Sequence, residues 1–130
     1  MVHAALTLYI DQPDGTPGND DLGTMSSWAV LSSTGLYPVT PGTPVWGPTT
    51  PAFPRIDLTL GPAHYASGHL TITAPDTSDA KRYVQSVRIG GKDHVATYVT
   101  SADLRSGRTV AYSVGDRPSR WARDRATRRP

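Results

Sequence analysis

The chain has 130 residues, a formal net charge of +2, a hydrophobic fraction of 37%, twelve glycines, twelve prolines and no cysteine. This length allows one domain, and the lack of cysteine excludes disulfides, thiolate nucleophiles and thiolate metal sites. No apolar run approaches the ~20 residues that a membrane helix needs. The N-terminus has neither the charged nor the apolar region of a signal peptide, so we expect none in this chain.

The positive charge is concentrated at the C-terminal end. Residues 117–130 contain six Arg and one Asp, a net +5, whereas residues 1–116 contain seven basic and ten acidic residues, a net −3. The tail has no aromatic residue beyond Trp121 to stack on bases, and no helical apolar stripe. We therefore predict a basic disordered tail over 117–130, with neither nucleic acid nor a membrane as partner.

Residues 1–37 are predicted to be helical around one loop. Apolar residues recur with the period of a helix at Val2, Ala5, Leu6, Tyr9 and Ile10. Turn-forming residues over 11–20 predict a loop. A second helix then carries Leu22, Met25, Trp28 and Leu31 at a spacing of three. We expect Asp20 or Asp21 to cap its start and Gly35 to end it.

The second half of the chain is predicted to be strand-rich. Six prolines at positions 38, 41, 44, 48, 51 and 54 indicate an extended linker over 38–54. Alternating apolar residues then predict strands near 56–60, 70–72, 83–89, 97–99 and 110–114, with a hairpin turn at 90–91 and a helical turn at 101–104. The predicted fold class is α+β, in which a short helical part precedes a small antiparallel β-sheet over 55–116.

The adjacent carboxylates of Asp20 and Asp21 are the best candidates for chemistry. A helix N-terminus favours ionised carboxylates, and an ionised carboxylate beside a water is what a general base requires. On the residues alone, a cap plus a solvated side chain is the competing interpretation. Trp46, in the Pro-rich segment, is a candidate for stacking on a sugar, whereas Trp28 is expected to be a core residue.

The other candidate groups give weaker signals. The four histidines, at positions 3, 64, 69 and 94, have no spacing typical of a shared metal site, so no metal ligand is assigned. Ser26 and Ser27 lack the Gly-x-Ser-x-Gly pattern of a serine nucleophile.

One long segment resembles the signature of glycoside hydrolase family 92. It reads Pro-Asp-Gly-Thr-Pro-Gly-Asn-Asp-Asp-Leu-Gly-Thr-Met-Ser-Ser-Trp over 13–28 and Gly-Leu-Tyr-Pro-Val-Thr-Pro-Gly over 35–42. Weaker similarity continues through Pro-Ala-Phe-Pro at 51–54 and Tyr-Val-Gln-Ser-Val at 83–87. Most members are Ca²⁺-dependent, inverting, exo-acting α-mannosidases with an N-terminal β-sandwich and a C-terminal α/α barrel.

The resemblance implies that this chain is the C-terminal piece of such an enzyme, with the end of the barrel in residues 1–37. Asp21 would be the general base, Asn19 would orient the water or the sugar, and Asp20 would serve the loop or cap. Gly18 would lie on the substrate side of the loop. Mannose-containing glycans would be the substrates, most Ca²⁺ ligands would come from upstream segments, and the parent enzyme would be extracellular or periplasmic.

Two departures from the family pattern bear on activity. The family's general acid is a Glu, and this chain has no Glu, so we expect the chain to be inactive alone. Ala29 stands where the family usually has Tyr, which predicts a gap.

Two alternatives remain open: a non-catalytic β-rich carbohydrate-binding module, and a subunit that complements the missing upstream part. Without barrel partners, apolar surface should be exposed around Val2, Leu6, Met25 and Leu31.

Overall fold

A computed structural model of the chain describes residues 2–40, 42–63, 65 and 68–123. The helices are α1 (Val2–Leu6), α2 (Thr24–Ser33) and α3 (Ser101–Gly107). The strands are β1 (Leu36–Tyr37), β2 (Val45–Pro48), β3 (Arg55–Thr59), β4 (His69–Thr73), β5 (Tyr83–Ile89), β6 (Lys92–His94), β7 (Val99–Thr100) and β8 (Thr109–Gly115). Within these residues, no helix has the length and apolarity that a bilayer crossing requires.

The larger sheet has five strands in the order β3-β4-β8-β5-β6. Its neighbours are antiparallel except for β4 and β8, which run parallel with Ile72 opposite Val110. The α+β class is thus confirmed, and the parallel pair is a feature that the sequence pattern did not predict. Alternating apolar residues identify a strand, but they carry no information on which strand lies beside it or in which direction it runs.

The hydrophobic core lies on one face of this larger sheet. Ile72, Val99 and Val110 are fully buried, and Val87 and Tyr112 are almost so. Their burial follows the period of two along β4 and β8, because alternate residues of a strand point to the same face. The predicted core pattern of the C-terminal half therefore matches the packing.

The smaller sheet has three strands in the order β1-β2-β7. Its central strand β2 lies inside the Pro-rich segment predicted as a linker, and pairs through Val45 with Thr100 and through Trp46 with Val99. The prolines confine this strand to four residues, Val45–Pro48, but do not prevent it. The segment 38–54 thus joins the helical and strand-rich parts by hydrogen bonding as well as by connectivity.

The first helix is shorter than the apolar periodicity predicted. It ends at Leu6, and the backbone tightens through bonds from Leu8 N to Ala5 O and from Tyr9 N to Leu6 O. The chain then closes a loop in which Ile10 N donates to Gly15 O at 3.0 Å. Ile10 and Leu8 are each 60% exposed, so the last predicted helical turn is absent.

Gly35 links the end of α2 to both sheets. Its φ of 82° ends the helix as predicted, since this left-handed conformation is costly for residues with a Cβ. Its carbonyl oxygen accepts a bond from the buried Tyr112 hydroxyl at 2.8 Å and another from Thr49 N at 2.8 Å. The helix end is therefore fixed to the sheet by groups from β8 and from the Pro-rich segment.

The chain beyond β8 packs back on the sheet. Gln85 Nε2 donates to Arg117 O at 2.8 Å, Ser119 Oγ donates to Val84 O at 2.7 Å, and Trp121 Nε1 donates to His94 O at 2.8 Å. The predicted start of the disordered tail at residue 117 is therefore wrong, since Ser119 and Trp121 bind the chain to the sheet. The run of Arg residues gave no indication of these contacts. The rest of that tail, from residue 124, lies outside the described residues.

Apolar surface is exposed on the helical part, but not where it was predicted. Val2, Leu6, Met25 and Leu31 are half-buried among α1, α2 and the loop between them. The exposed apolar side chains there are Leu8, Ile10, Leu22 and Val30. The prediction failed on position because α1 unwinds after Leu6 and the chain before α2 turns Leu22 outward.

Candidate active-site loop

The candidate site is the loop before α2, over residues 18–23. Thr16 Oγ1 donates to Gly18 O at 3.0 Å, and Gly18 lies against the Met25 side chain. Tyr9 supports the far side, because its hydroxyl donates to Met25 O at 3.0 Å and its ring stacks on Trp28 with centroids 5.9 Å apart. The loop is therefore braced by the first turns of α2. Trp28, expected to be a core residue, is half-buried against Tyr9 and lies outside the hydrophobic core cluster.

The backbone of the loop makes a left-handed turn at Asp21, Leu22 and Gly23. Their φ angles are 33°, 62° and 84°. Thr24 N closes the turn on Asp20 O at 2.7 Å, and Thr24 Oγ1 donates to Asp21 O at 2.7 Å. A left-handed residue with a Cβ costs about 1–2 kcal/mol, so two of them in succession mark a backbone that its surroundings must hold in place. The sequence did not predict this strain.

Asp20 serves the start of α2. Its Oδ1 accepts the Ser26 backbone N–H at 2.8 Å, and its Oδ2 accepts the Ser26 hydroxyl at 2.7 Å. Hydrogen bonds from the Ser26 side chain and backbone lower the pKa of the Asp20 carboxyl below its ordinary value. Gly23 occupies the formal cap position without a side-chain bond, so Asp20 caps the helix from three residues further back.

Asp21 and Asn19 have no such partners. Both are exposed, and neither side chain forms a hydrogen bond with any residue that the structure describes. Only the Asp21 carbonyl oxygen is engaged, by Thr24. The two neighbouring carboxylates thus differ: that of Asp20 is bonded at both oxygens, and that of Asp21 is open to water. Sequence reasoning placed both at the helix start but overlooked Ser26, whose spacing of six from Asp20 fits no standard capping motif.

Trp46, the predicted sugar platform, is not on this loop. It lies in β2, half-buried against the core, and its Nε1 donates to Ser101 Oγ at 3.1 Å. The Pro-rich segment forms a strand here, and this strand places the indole beside Ser101 of α3. The structure brings together Gly18, Asn19, Asp20 and Asp21 on the loop and leaves Trp46 in the smaller sheet.

A cleft lies beside Ala29, the position where the sequence predicted a gap. Its volume is about 330 Å³, and its wall includes Leu6, Tyr9, Ser33 and Pro51. The cleft lies between α1, α2 and the Pro-rich segment, some distance along α2 from Asp21. That the Ala29 position creates this space stays a prediction.

No cation site is complete in the described part of the chain. No three His, Asp or Glu side chains converge there. Ca²⁺ takes six to eight oxygen ligands, and both Asp20 oxygens are already bonded to Ser26. The residues present therefore do not fit a calcium site by themselves. The histidines also stay apart: His94 contacts Tyr98 O at 2.7 Å and His3 contacts Asp79 at 3.2 Å, while His64 lies outside the described residues.

The chain is similar to glycosidases in sequence and in structure. Residues 1–116 match the model of the glycosyl hydrolase family 92 catalytic domain. A relative described as an uncharacterized secreted glycosidase, from Arthroderma benhamiae, is 28% identical over 116 residues, which are 87% of this chain and 14% of that protein.

Two solved structures from Bacteroides thetaiotaomicron share the fold. A family 92 inverting mannosidase superposes with a TM-score of 0.85 at 25% identity, over 98% of this chain and 17% of its own. A family 92 α-mannosidase in complex with mannoimidazole superposes with a TM-score of 0.85 at 26% identity, over 99% of this chain and 17% of its own. This chain therefore spans only about a sixth of the length of these proteins.

The arrangement of helices and sheets thus matches that of two solved family 92 mannosidases over almost the whole chain. With 116 of its 130 residues matched by the family model, the chain belongs to glycosyl hydrolase family 92.

Proposed function

We propose that this chain supplies the general base of an inverting α-mannosidase and does not hydrolyse mannosides by itself. Asp21 is the proposed base. The observation that carries the proposal is the difference between the two neighbouring carboxylates, since Ser26 occupies both oxygens of Asp20 whereas the Asp21 carboxylate is exposed and has no partner among the described residues.

The chemistry of inversion requires two carboxyl groups on opposite sides of the scissile bond. One protonates the leaving oxygen, and the other removes a proton from the water that attacks the anomeric carbon from the opposite face. In this proposal Asp21 takes that water proton, and Asn19, exposed two residues earlier, orients the water or a sugar hydroxyl. Asp20 holds the loop and does not accept the proton.

The chain is expected to be inactive alone because it does not supply the second carboxyl group of an inverting pair. An inverting pair stands ~6.5–9.5 Å apart, and both members must face one sugar. The neighbouring Asp20 is bonded to Ser26, and the chain contains no Glu. The general acid, and most ligands of any Ca²⁺ that binds the sugar, would come from other segments of the catalytic domain.

Terminal α-mannosyl residues of glycans are the proposed substrate class. The support is the solved relative that is described as bound to mannoimidazole, together with the relative described as an inverting mannosidase. An extracellular setting for the parent enzyme is supported by the relative described as secreted. The alternative of a carbohydrate-binding module loses its main support, because the Trp46 indole packs against the core.

The test is an assay of the chain in two contexts, each with Ca²⁺ and an aryl α-mannoside. In the first, the chain is assayed alone. In the second, it replaces its matching segment in one of the Bacteroides thetaiotaomicron mannosidases, giving what we call the joined enzyme. We expect no hydrolysis by the chain alone, and hydrolysis to β-mannose, seen as the first product anomer by NMR, for the joined enzyme. Hydrolysis by the chain alone would contradict its proposed dependence on other segments.

A further inference from the structure

Asp20 and Asp21 are adjacent carboxylates before α2, and only Asp20 is bonded to Ser26 among the described residues. Either Asp20 or Asp21 has the chemistry to cap α2, because any carboxylate near the first turn can accept its free N–H groups. Ser26 presents its N–H to one oxygen of Asp20 at 2.8 Å and its hydroxyl to the other at 2.7 Å. A single residue thus binds both oxygens of one carboxylate and fixes that side chain in place.

We propose that Ser26 is a positioning residue, which holds Asp20 at the helix start and thereby keeps the Asp21 carboxylate directed to solvent. The inference rests on the proposed role of Asp21 as the base. It adds a residue outside the Gly-Asn-Asp-Asp sequence to the machinery of the loop, acting through Asp20 and not on the substrate.

The geometry of the loop explains how one serine has this effect. Ser26 belongs to α2, which makes it a fixed point, and the Asp20 side chain attached to it fixes the position of the Asp20 backbone. Thr24 N then closes the turn on Asp20 O at 2.7 Å. Between these two fixed points, Asp21 and Leu22 adopt positive φ. The turn thus has its Asp20 end held by Ser26 and its other end held by α2.

The neighbouring serine provides a matched comparison. Ser27 is also exposed on the first turns of α2, but its N–H donates to Gly23 O at 2.9 Å within the helix start. Its hydroxyl forms no hydrogen bond with a residue in the described ranges. Ser27→Ala therefore removes the same hydroxyl group one position away without touching Asp20.

The experiment is carboxyl and backbone NMR on the full chain, for the wild type and for Ser26→Ala, Ser26→Thr and Ser27→Ala. Ser26→Ala should raise the titration midpoint of Asp20 toward that of an ordinary aspartate. It should also move the φ-dependent couplings of Asp21 and Leu22 away from their positive-φ values. Ser26→Thr should keep both signatures, because threonine retains the hydroxyl, and Ser27→Ala should leave them unchanged.

Two results would overturn the inference. One is a Ser26→Ala chain that retains the Asp20 midpoint and the positive φ at Asp21. The other, which applies if Ser26→Ala does not fold, is an Asp20→Ala chain that folds and keeps positive φ at Asp21 and Leu22.

Kinetics separate this inference from the proposed function. In the joined enzyme we expect Ser26→Ala to lower kcat about tenfold with less than a twofold change in KM, since misplacement by about 1 Å can cost up to ~100-fold. Ser26→Thr should restore kcat. An unchanged kcat in Ser26→Ala beside a large loss in Asp21→Asn would refute the positioning role alone. Full activity of Asp21→Asn would refute the proposed function and with it the catalytic meaning of the Ser26 contact, while the NMR signatures would still report whether Ser26 holds Asp20.

Discussion

A single methyl group added at Gly35 should destabilise the packing of the end of α2 against the sheets. Gly35 has a φ of 82°, and a Cβ there would lie 2.7 Å from Pro51 Cγ and 2.9 Å from Thr49 O. These atoms belong to a proline ring and a backbone carbonyl, which have little freedom to move aside. Gly35→Ala therefore combines a conformational cost with a steric one.

The two costs can be estimated separately. A left-handed alanine costs about 1–2 kcal/mol, and forcing a methyl group into a filled space costs about 1–3 kcal/mol. We therefore expect Gly35→Ala to lower the free energy of unfolding by about 2–5 kcal/mol. That is a large part of the ~5–15 kcal/mol that stabilises an ordinary domain.

A second glycine isolates the conformational part. Gly91 has a φ of 80°, and a Cβ there would meet no atom within 4 Å. Gly91→Ala should therefore cost only about 1–2 kcal/mol. Urea unfolding followed by circular dichroism measures both variants. If Gly35→Ala costs no more than Gly91→Ala, the helix end is not held against Pro51 as the structure has it.

Three further changes test other parts of the fold. Tyr112→Phe removes the bond to Gly35 O and should lower the free energy of unfolding by about 1 kcal/mol, because Thr49 N still satisfies that carbonyl. Burial raises the pKa of the Tyr112 hydroxyl. The wild type should therefore lose stability above about pH 10 more steeply than the variant. Asp103→Ala should lower the free energy of unfolding by about 1 kcal/mol at pH 7. Hydrogen bonds from Thr100 lower the pKa of the Asp103 carboxyl, so this stabilisation exists above about pH 4 and is lost as the pH falls. Equal acid sensitivity of the wild type and the variant would contradict this. Ile72→Ala should cost about 2–5 kcal/mol in urea unfolding, since Ile72 is fully buried, and a loss under 1 kcal/mol would place it outside the core.

The sequence predicted most of what depends on local pattern. The apolar alternation at 70–72 and 110–114 marked β4 and β8, and Gly35 marked the end of α2 because its missing Cβ permits a positive φ. The signature at 13–28 located the candidate loop and its carboxylates. These features are set by neighbours along the chain, so they can be read from it directly.

What the sequence did not predict depends on contacts between distant segments. The parallel pairing of β4 with β8 and the docking of Trp121 on His94 join residues far apart in the chain. The left-handed turn at Asp21 and Leu22 was missed for a different reason. Positive φ is uncommon for any residue with a Cβ, and the turn is closed by bonds of Asp20 to Ser26 and Thr24 that the sequence pattern does not indicate.

The assignment of the base to Asp21 and not to Asp20 is tested most directly in the joined enzyme. The measurement is kcat/KM for an aryl α-mannoside with Asp21→Asn and Asp20→Asn in parallel. Asn at position 20 can still accept the Ser26 N–H, so we expect a loss of less than about tenfold there. For Asp21→Asn we expect a loss of about 10²–10⁴-fold, the range for removal of a general base. Near-complete activity in Asp21→Asn, or a greater loss in Asp20→Asn than in Asp21→Asn, would contradict the assignment.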